Sequence, residues 1–296
     1  MKDLGAILTA MITPFDDGGE VDYREAARVA SWLVKRGNDG LVVAGSTGEG
    51  QTMTPVERVR LFAAVKDELG DRAAVIANAG SNDTRDSVRS VKAAEKSGAD
   101  GILAVVPYYN KPPQSGMIAH FSAIAQATAL PIVIYNIPGR TGINMLPETL
   151  LELARTHRNI VGVKESSGDL RQIGFILRDR EPGFTVWAGD DHLFLPCLAM
   201  GADGVVGVAS HLCSREYVAM MQAYRNGDPS EAARIHGSLL PLIDALFATT
   251  SPIPVKWAMK QLGFNVGECR LPLDSMPEHL ALNLRPLLAQ YDYTRV

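Results

Sequence analysis

Gly98-Ala-Asp-Gly101-Ile-Leu-Ala-Val-Val106 holds a helix end, a tight junction and a buried strand in nine residues. Its first glycine suits a left-handed helix C-cap. Its second opens an apolar run without polar alternation, the mark of a strand covered on both faces. The junction recurs as Gly37-Asn-Asp-Gly40 and Gly201-Ala-Asp-Gly204, so one αβ connection is built three times. Working outward, apolar runs predict strands at Ala6–Ile12, Gly40–Ala44, Ala74–Asn78, Gly101–Val106, Pro131–Tyr135, Ile160–Lys164, Thr185–Ala188 and Gly204–Val208. Helical periodicity fills the gaps at Tyr23–Lys35, Pro55–Leu69, Thr84–Ser97, Ser115–Thr128, Pro147–Arg155, Leu170–Asp179, His192–Met200 and Ser214–Asn226. Eight alternating units predict a parallel α/β sheet, and eight is the number that closes a (β/α)8 TIM barrel. No Gly-x-Gly-x-x-Gly follows the first strand, which argues against a doubly wound dinucleotide fold. Three more helical stretches follow, Pro229–Phe247, Val255–Leu262 and Pro277–Gln290. The expectation is a barrel over residues 1–226 with a C-terminal three-helix extension over 227–296, the two forming a single structural unit.

Bulk properties narrow the function classes. The 296 residues are 46% hydrophobic, enough to bury a large core without disulfide staples. A net charge of −4 without a dense Lys/Arg run argues against a nucleic-acid surface. Cys197, Cys213 and Cys269 are odd in number and form no CxxC, as expected of reduced thiols in a cytoplasmic protein. The apolar stretch Gly5–Thr13 is too short to cross a membrane and reads as a strand. His120, His157, His192, His211, His236 and His279 show no ligand spacing, and Asp190-Asp191 alone makes a poor site, so no metal is expected.

In such a barrel the chemistry sits at the C-terminal strand ends. The sixth strand, Ile160-Val-Gly-Val-Lys164-Glu-Ser-Ser-Gly168, ends on a lysine. A buried ammonium loses hydration, which favours the free amine that attacks carbonyl carbons to form Schiff bases. Alone, Lys164 reads more readily as a snorkelling residue paired with Glu165, and the rest of the chain shifts that weighting. Tyr135 ends the neighbouring strand, where a phenol can shuttle protons for an amine. Gly45-Ser-Thr-Gly-Glu49 places two hydroxyls between glycines, an arrangement suited to a carboxylate or phosphate. The next helix has its own capping-box candidate at Thr54-Pro-Val-Glu57, which frees that hydroxyl pair for another task. Arg140 follows the fifth strand, where it is either a carboxylate fork or an ordinary surface arginine.

Five ordered motifs then point one way: Gly45–Glu49, Pro107-Tyr-Tyr-Asn-Lys-Pro112, Tyr135-Asn-Ile-Pro-Gly-Arg-Thr-Gly142, Val163-Lys-Glu-Ser-Ser-Gly-Asp169 and Gly189-Asp-Asp191. Together with Pro254-Val-Lys256 and Arg270-Leu-Pro-Leu273, the chain resembles the dihydrodipicolinate synthase family. That family belongs to the pyruvate-dependent class I aldolase superfamily, which also contains N-acetylneuraminate lyase. The resemblance implies that Lys164 forms a Schiff base with pyruvate while Tyr135 gives and takes protons. Ser46 would relay protons between Tyr135 and Tyr109, the latter reaching in from a neighbouring subunit. Thr47 would hold the pyruvate carboxylate, Gly189 and Val206 would line the pyruvate pocket, and Arg140 would bind the carboxylate of aspartate semialdehyde. It further implies no cofactor, since pyruvate itself is bound covalently at Lys164, and a homotetramer built as a dimer of dimers.

The chain departs from the family pattern at two places. Ser46 stands where the family usually has threonine, keeping the hydroxyl but losing the methyl that fixes its rotamer. Ser-Thr there also resembles the sialic-acid lyase branch, which lacks an equivalent of Arg140. The alternative is therefore a Schiff-base lyase or dehydratase acting on a 2-keto-3-deoxy sugar acid. The second departure concerns feedback by lysine. Pro55 and Arg58 stand where inhibited relatives often carry histidine or another polar residue. Asn82, Asp86 and Tyr108 are retained as contacts, yet Pro55 offers no donor and Arg58 would repel a lysine side chain. Weak or absent inhibition by lysine is expected.

Overall fold

In the computed structural model, which describes residues 3–289, each Gly-x-Asp-Gly junction is a double lock on a neighbouring strand. Gly37, Gly98 and Gly201 take positive φ of 103°, 84° and 103°, the left-handed caps that spacing predicts. The aspartate between the glycines has a role that spacing does not reveal. Asp39 donates its N–H to Ile7 O and accepts the Ile7 N–H on its carboxylate, both at 2.9 Å. Asp100 does the same to Val75 at 2.8 and 2.9 Å, and Asp203 to Val186 at 2.9 and 2.8 Å. Each junction thus sets the register of the preceding strand as it starts the next.

The strands are β1 (Ile7–Ala10), β2 (Gly40–Val43), β3 (Ala74–Asn78), β4 (Gly101–Val105), β5 (Ile132–Asn136), β6 (Ile160–Glu165), β7 (Thr185–Ala188) and β8 (Gly204–Gly207). All are parallel and close into one barrel, with β1 pairing both β2 and β8. Around them run α1 (Tyr23–Lys35), α2 (Pro55–Leu69), α3 (Thr84–Lys96), α4 (Gln114–Gln126), α5 (Pro138–Thr141) and α6 (Pro147–Thr156). The ring continues with α7 (Leu170–Asp179), α8 (Phe194–Ala199) and α9 (Ser210–Arg225). The last described helices, α10 (Pro229–Leu246), α11 (Ile253–Gln261) and α12 (Glu278–Leu288), follow the barrel, with α10 packed on α9. Thr54 caps α2 in a full capping box with Glu57, as the sequence predicts.

Apolar side chains form two layers. A small cluster including Leu8, Val42, Ile76, Leu103, Val133, Trp187 and Val206 fills the barrel interior. A much larger one fills the space between strands and helices. Burial on both faces is why the strands read as unbroken apolar runs.

Several boundaries differ from the sequence expectation for local reasons. β5 and β6 each run one residue beyond Tyr135 and Lys164. The predicted helix at His192–Met200 divides into a 3₁₀ turn, Asp191–Leu193, and α8. α9 starts at Ser210 rather than Ser214 because a helical turn precedes a kink at Cys213, whose φ and ψ are −123° and 31°. α5 was not expected; it is a single turn started by Pro138. Gln290, the predicted end of the last helix, lies outside the described residues.

Candidate active site

Lys164 and Tyr135 are register partners on β6 and β5, followed by the partners Glu165 and Asn136. Side chains alternate across a strand, so the first pair enters the barrel and the second faces the helices. Tyr135 belongs to the interior cluster, and the Lys164 Nζ lies 4.4 Å from its ring centroid. Lys164 is only 5% exposed. The pairing of Lys164 with Glu165 that the sequence left open is overturned, because Glu165 is committed elsewhere. Its carboxylate accepts Asn136 Nδ2 at 3.1 Å, Gln172 Nε2 at 3.3 Å and the Ser167 N–H at 2.8 Å. Asn136 also donates to Asn144 Oδ1 at 2.8 Å and accepts the Met145 N–H at 3.0 Å. Burial pushes the Glu165 carboxyl up, against the donors that hold its charged form. The outer pair thus pins β5 to β6 directly behind the inner pair.

Gly189 and Val206 complete this side of the interior. The Gly189 N–H donates to Glu165 O at 2.8 Å. A Cβ there would sit 1.8 Å from Ser166 Oγ and 3.0 Å from Lys164 Cγ, so any side chain would have to displace the serine hydroxyl and crowd the lysine stem. Val206 is 1% exposed within the interior cluster. Asp191, part of the Gly189-Asp-Asp191 motif and a poor metal pair with Asp190, holds the loop after β8. It is buried and accepts the Val208 and Ala209 N–H groups at 2.9 and 3.3 Å and the Tyr217 hydroxyl at 2.8 Å. Burial raises its carboxyl, opposed by those donors. His211 is likewise structural: its Nε2 accepts the Ile12 N–H at 3.1 Å, and burial pulls it down to about 4.

Opposite stands the Gly45–Glu49 turn, bracketed by Ala44 and Glu49 with left-handed φ of 54° and 53°. Its ends close through Gly50 N–H to Gly45 O at 3.1 Å, and Thr13 Oγ1 donates to Gly48 O at 2.6 Å. Thr47 is 5% exposed, and Ser46 is half-buried. A cavity of about 490 Å³ opens here, lined by Ser46, Tyr135, Arg140, Tyr108, Arg58 and Asp86 among others. Lys164 is not in its wall but meets it through the Tyr135 ring. Arg140, on α5, is exposed and has no ion-pair partner among the described residues. The structure therefore brings Ser46, Tyr135 and Arg140 to one cavity, while Lys164, Thr47 and Val206 are buried outside its wall and Gly189 is half-buried beside the Lys164 stem. Tyr109 is outside. It is 88% exposed, with a left-handed φ of 73° and its N–H on Thr141 O at 3.2 Å. Spacing along the chain also hid one group from view, because Glu49 meets Lys256 and the Arg270 backbone across more than two hundred residues of sequence.

This sequence and fold have counterparts among known proteins. Residues 3–291 match the model of the Dihydrodipicolinate synthetase family. A 4-hydroxy-tetrahydrodipicolinate synthase of Heliobacterium modesticaldum is 49% identical, over 98% of this chain and 96% of its own. Its counterpart from Moorella thermoacetica is 51% identical, over 91% of this chain and 92% of its own. The crystal structure of a dihydrodipicolinate synthase from Cyanidioschyzon merolae with lysine bound superposes with a TM-score of 0.95 at 46% identity, covering 97% of this chain and 98% of that one. By fold, by sequence over nearly its whole length and by the residues gathered at its strand ends, the chain belongs to the dihydrodipicolinate synthetase family.

Proposed function

We propose that this protein condenses pyruvate with L-aspartate 4-semialdehyde through a Schiff base on Lys164, giving 4-hydroxy-tetrahydrodipicolinate on the route to diaminopimelate and lysine. The observation that carries the reading is the buried Lys164 amine against Tyr135, beside a cavity that also holds Ser46 and Arg140, which has no ion-pair partner among the described residues. The amine attacks the ketone carbon of pyruvate, and loss of water gives an iminium. Loss of a methyl proton leaves an enamine, whose carbon adds to the aldehyde and takes its oxygen to a hydroxyl. The acceptor's own amine then attacks the iminium carbon, closes the ring and releases Lys164. Water is the only by-product, and the protonated imine is the electron sink, so the route needs no cofactor. Tyr135 carries the protons, Ser46 relays them, and the hydroxyl and backbone of Thr47 hold the pyruvate carboxylate. A coupled assay of pyruvate with aspartate semialdehyde, beside a panel of sugar-derived keto acids, tests the reading. Turnover only of the sugar acids would overturn it.

Arg140 separates the two acceptors. A charge-assisted hydrogen bond contributes about 1.5–3 kcal/mol, so Arg140→Ala raises the KM for aspartate semialdehyde about 10- to 100-fold. The KM for pyruvate stays near its wild-type value. Steady-state kinetics with each substrate varied in turn makes the check, and an unchanged aldehyde KM removes Arg140 from the site.

The exposed, left-handed Tyr109 fits a side chain presented to another copy. With the family resemblance, which implies a homotetramer built as a dimer of dimers in the cytoplasm, we assign Tyr109 to a neighbour's proton relay. Lysine is a weak inhibitor at most. Arg58 lines the cavity with Asp86, placing a cation where a lysine side chain would bring a second one, and Pro55 has no N–H to donate. Initial rates titrated with L-lysine stay near the uninhibited value through the micromolar range; half-inhibition at low micromolar lysine would contradict this.

A further inference from the structure

The turn that carries Ser46 and Thr47 is closed by its own backbone hydrogen bonds and is also gripped from outside. Both residues flanking it, Ala44 and Glu49, are non-glycine residues in the left-handed region. Such conformations persist where the surroundings over-determine them. For Glu49 the surroundings come from the C-terminal extension. One carboxylate oxygen accepts Lys256 Nζ of α11 at 2.8 Å, and the other accepts the Arg270 N–H at 2.7 Å. The Lys256 and Glu49 side chains are 2% and 1% exposed, so the pair is fully enclosed. Lys256 Nζ also donates to Glu268 O at 2.9 Å and lies 4.1 Å from the Phe15 ring centroid.

Arg270 spreads the same support to the neighbouring loops. Its Nε donates to Gly19 O at 2.8 Å and its Nη1 to Thr52 O at 2.9 Å, while Nη2 pairs with Glu57. Its guanidinium stacks 4.4 Å from the same Phe15 ring. The loops after β1 and β2 and the start of α2 are therefore tied to one buried hub. Ser46 of that turn lines the substrate cavity.

We infer that Lys256 and Arg270 are positioning residues, which set the pyruvate-carboxylate turn through Glu49 and make the extension a working part of the active site. Neither touches substrate. The inference rests on the pyruvate reading given above, since it concerns where the keto-acid carboxylate is held. A buried ion pair with no other duty would be replaceable by neutral groups of similar volume without functional cost. An ion pair that aims a turn would not be.

The experiment compares the wild type with Lys256→Met, with the double variant Glu49→Gln/Lys256→Met, and with Arg270→Gln. Lys256→Met strands the Glu49 charge, so its melting temperature falls. The double variant leaves no uncompensated charge and recovers most of that loss. In both, the KM for pyruvate rises about 10- to 100-fold, the cost of misplacing a substrate-holding group by about an ångström. The KM for aspartate semialdehyde and the kcat at saturating pyruvate change by only a few-fold. Should Lys256→Met fail to fold, Arg270→Gln decides: it keeps the backbone N–H on Glu49, loses the guanidinium ties to Gly19, Thr52 and Glu57, and raises the pyruvate KM several-fold. Half-saturation of borohydride trapping by pyruvate must shift in parallel. A double variant, or Arg270→Gln, with wild-type pyruvate KM makes the hub a matter of stability alone and overturns the inference. Absence of any trapped adduct in the wild type would instead overturn the Schiff-base reading beneath it.

Discussion

Lys164→Ala is expected to abolish the borohydride-trapped pyruvate adduct and to lower turnover by about 10⁴-fold or more, the scale of loss when a covalent nucleophile is deleted. The variant should still fold. Lys164 has no ion-pair partner among the described residues; the buried Asp191 carboxyl, on which its charge acts, keeps its Val208, Ala209 and Tyr217 donors, and Glu165 keeps all of its own. A near-wild-type melting temperature then separates lost chemistry from lost structure. Lys164→Arg sharpens the test. It keeps the charge and most of the stem, but a guanidinium stays protonated and offers no free amine. It should be as inactive as the alanine variant. Intact-mass analysis after borohydride reduction with pyruvate reads the adduct directly. Persistent trapping in Lys164→Ala would move the Schiff base to another lysine, and Lys256 is poorly placed to take it, enclosed against Glu49.

The barrel was legible because its signals are local. Each strand is an unbroken apolar run, and the Gly37, Gly98 and Gly201 caps mark where helices stop. Inward and outward faces were not legible, because a run without alternation leaves open whether Lys164 pairs with Glu165; the structure sets Lys164 against the interior Tyr135 and Glu165 among outer donors. What stayed hidden depends on partners distant in sequence. Nothing near Asp39, Asp100 or Asp203 shows that each grips the backbone of a neighbouring strand. The partners of Glu49 lie in the extension, so the Gly45–Glu49 motif reads as a free hydroxyl pair when its last residue is the anchor. Asp191 was half legible: the sequence made Asp190-Asp191 a poor metal site, but it did not show that backbone N–H groups and Tyr217 satisfy Asp191. Short carboxylate pairs are informative only once their donors are known.

Tyr135→Phe is the second large effect, and it isolates proton transfer from packing. The ring is 7% exposed and packs with Leu8, Val133 and Trp187 inside the barrel, contacts that phenylalanine retains. The contact of the Lys164 ammonium with the ring face also survives, because it depends on the π system rather than the hydroxyl. The hydroxyl has no hydrogen-bond partner among the described residues, so its loss leaves no buried group unpaired and costs little stability. Only the proton path is cut. A positioned acid–base group contributes about 10²- to 10⁴-fold, and kcat should fall by that amount while the melting temperature holds. Imine formation passes through a carbinolamine that must lose water, and this dehydration needs a proton on its hydroxyl. The adduct should therefore still form in Tyr135→Phe, but more slowly, reaching full trapping only after long incubation with pyruvate. Lys164→Ala gives no adduct at any time, which distinguishes the nucleophile from its proton carrier. A Tyr135→Phe enzyme with wild-type kcat and trapping rate would leave Ser46 and solvent to carry the protons and would reduce Tyr135 to a packing residue.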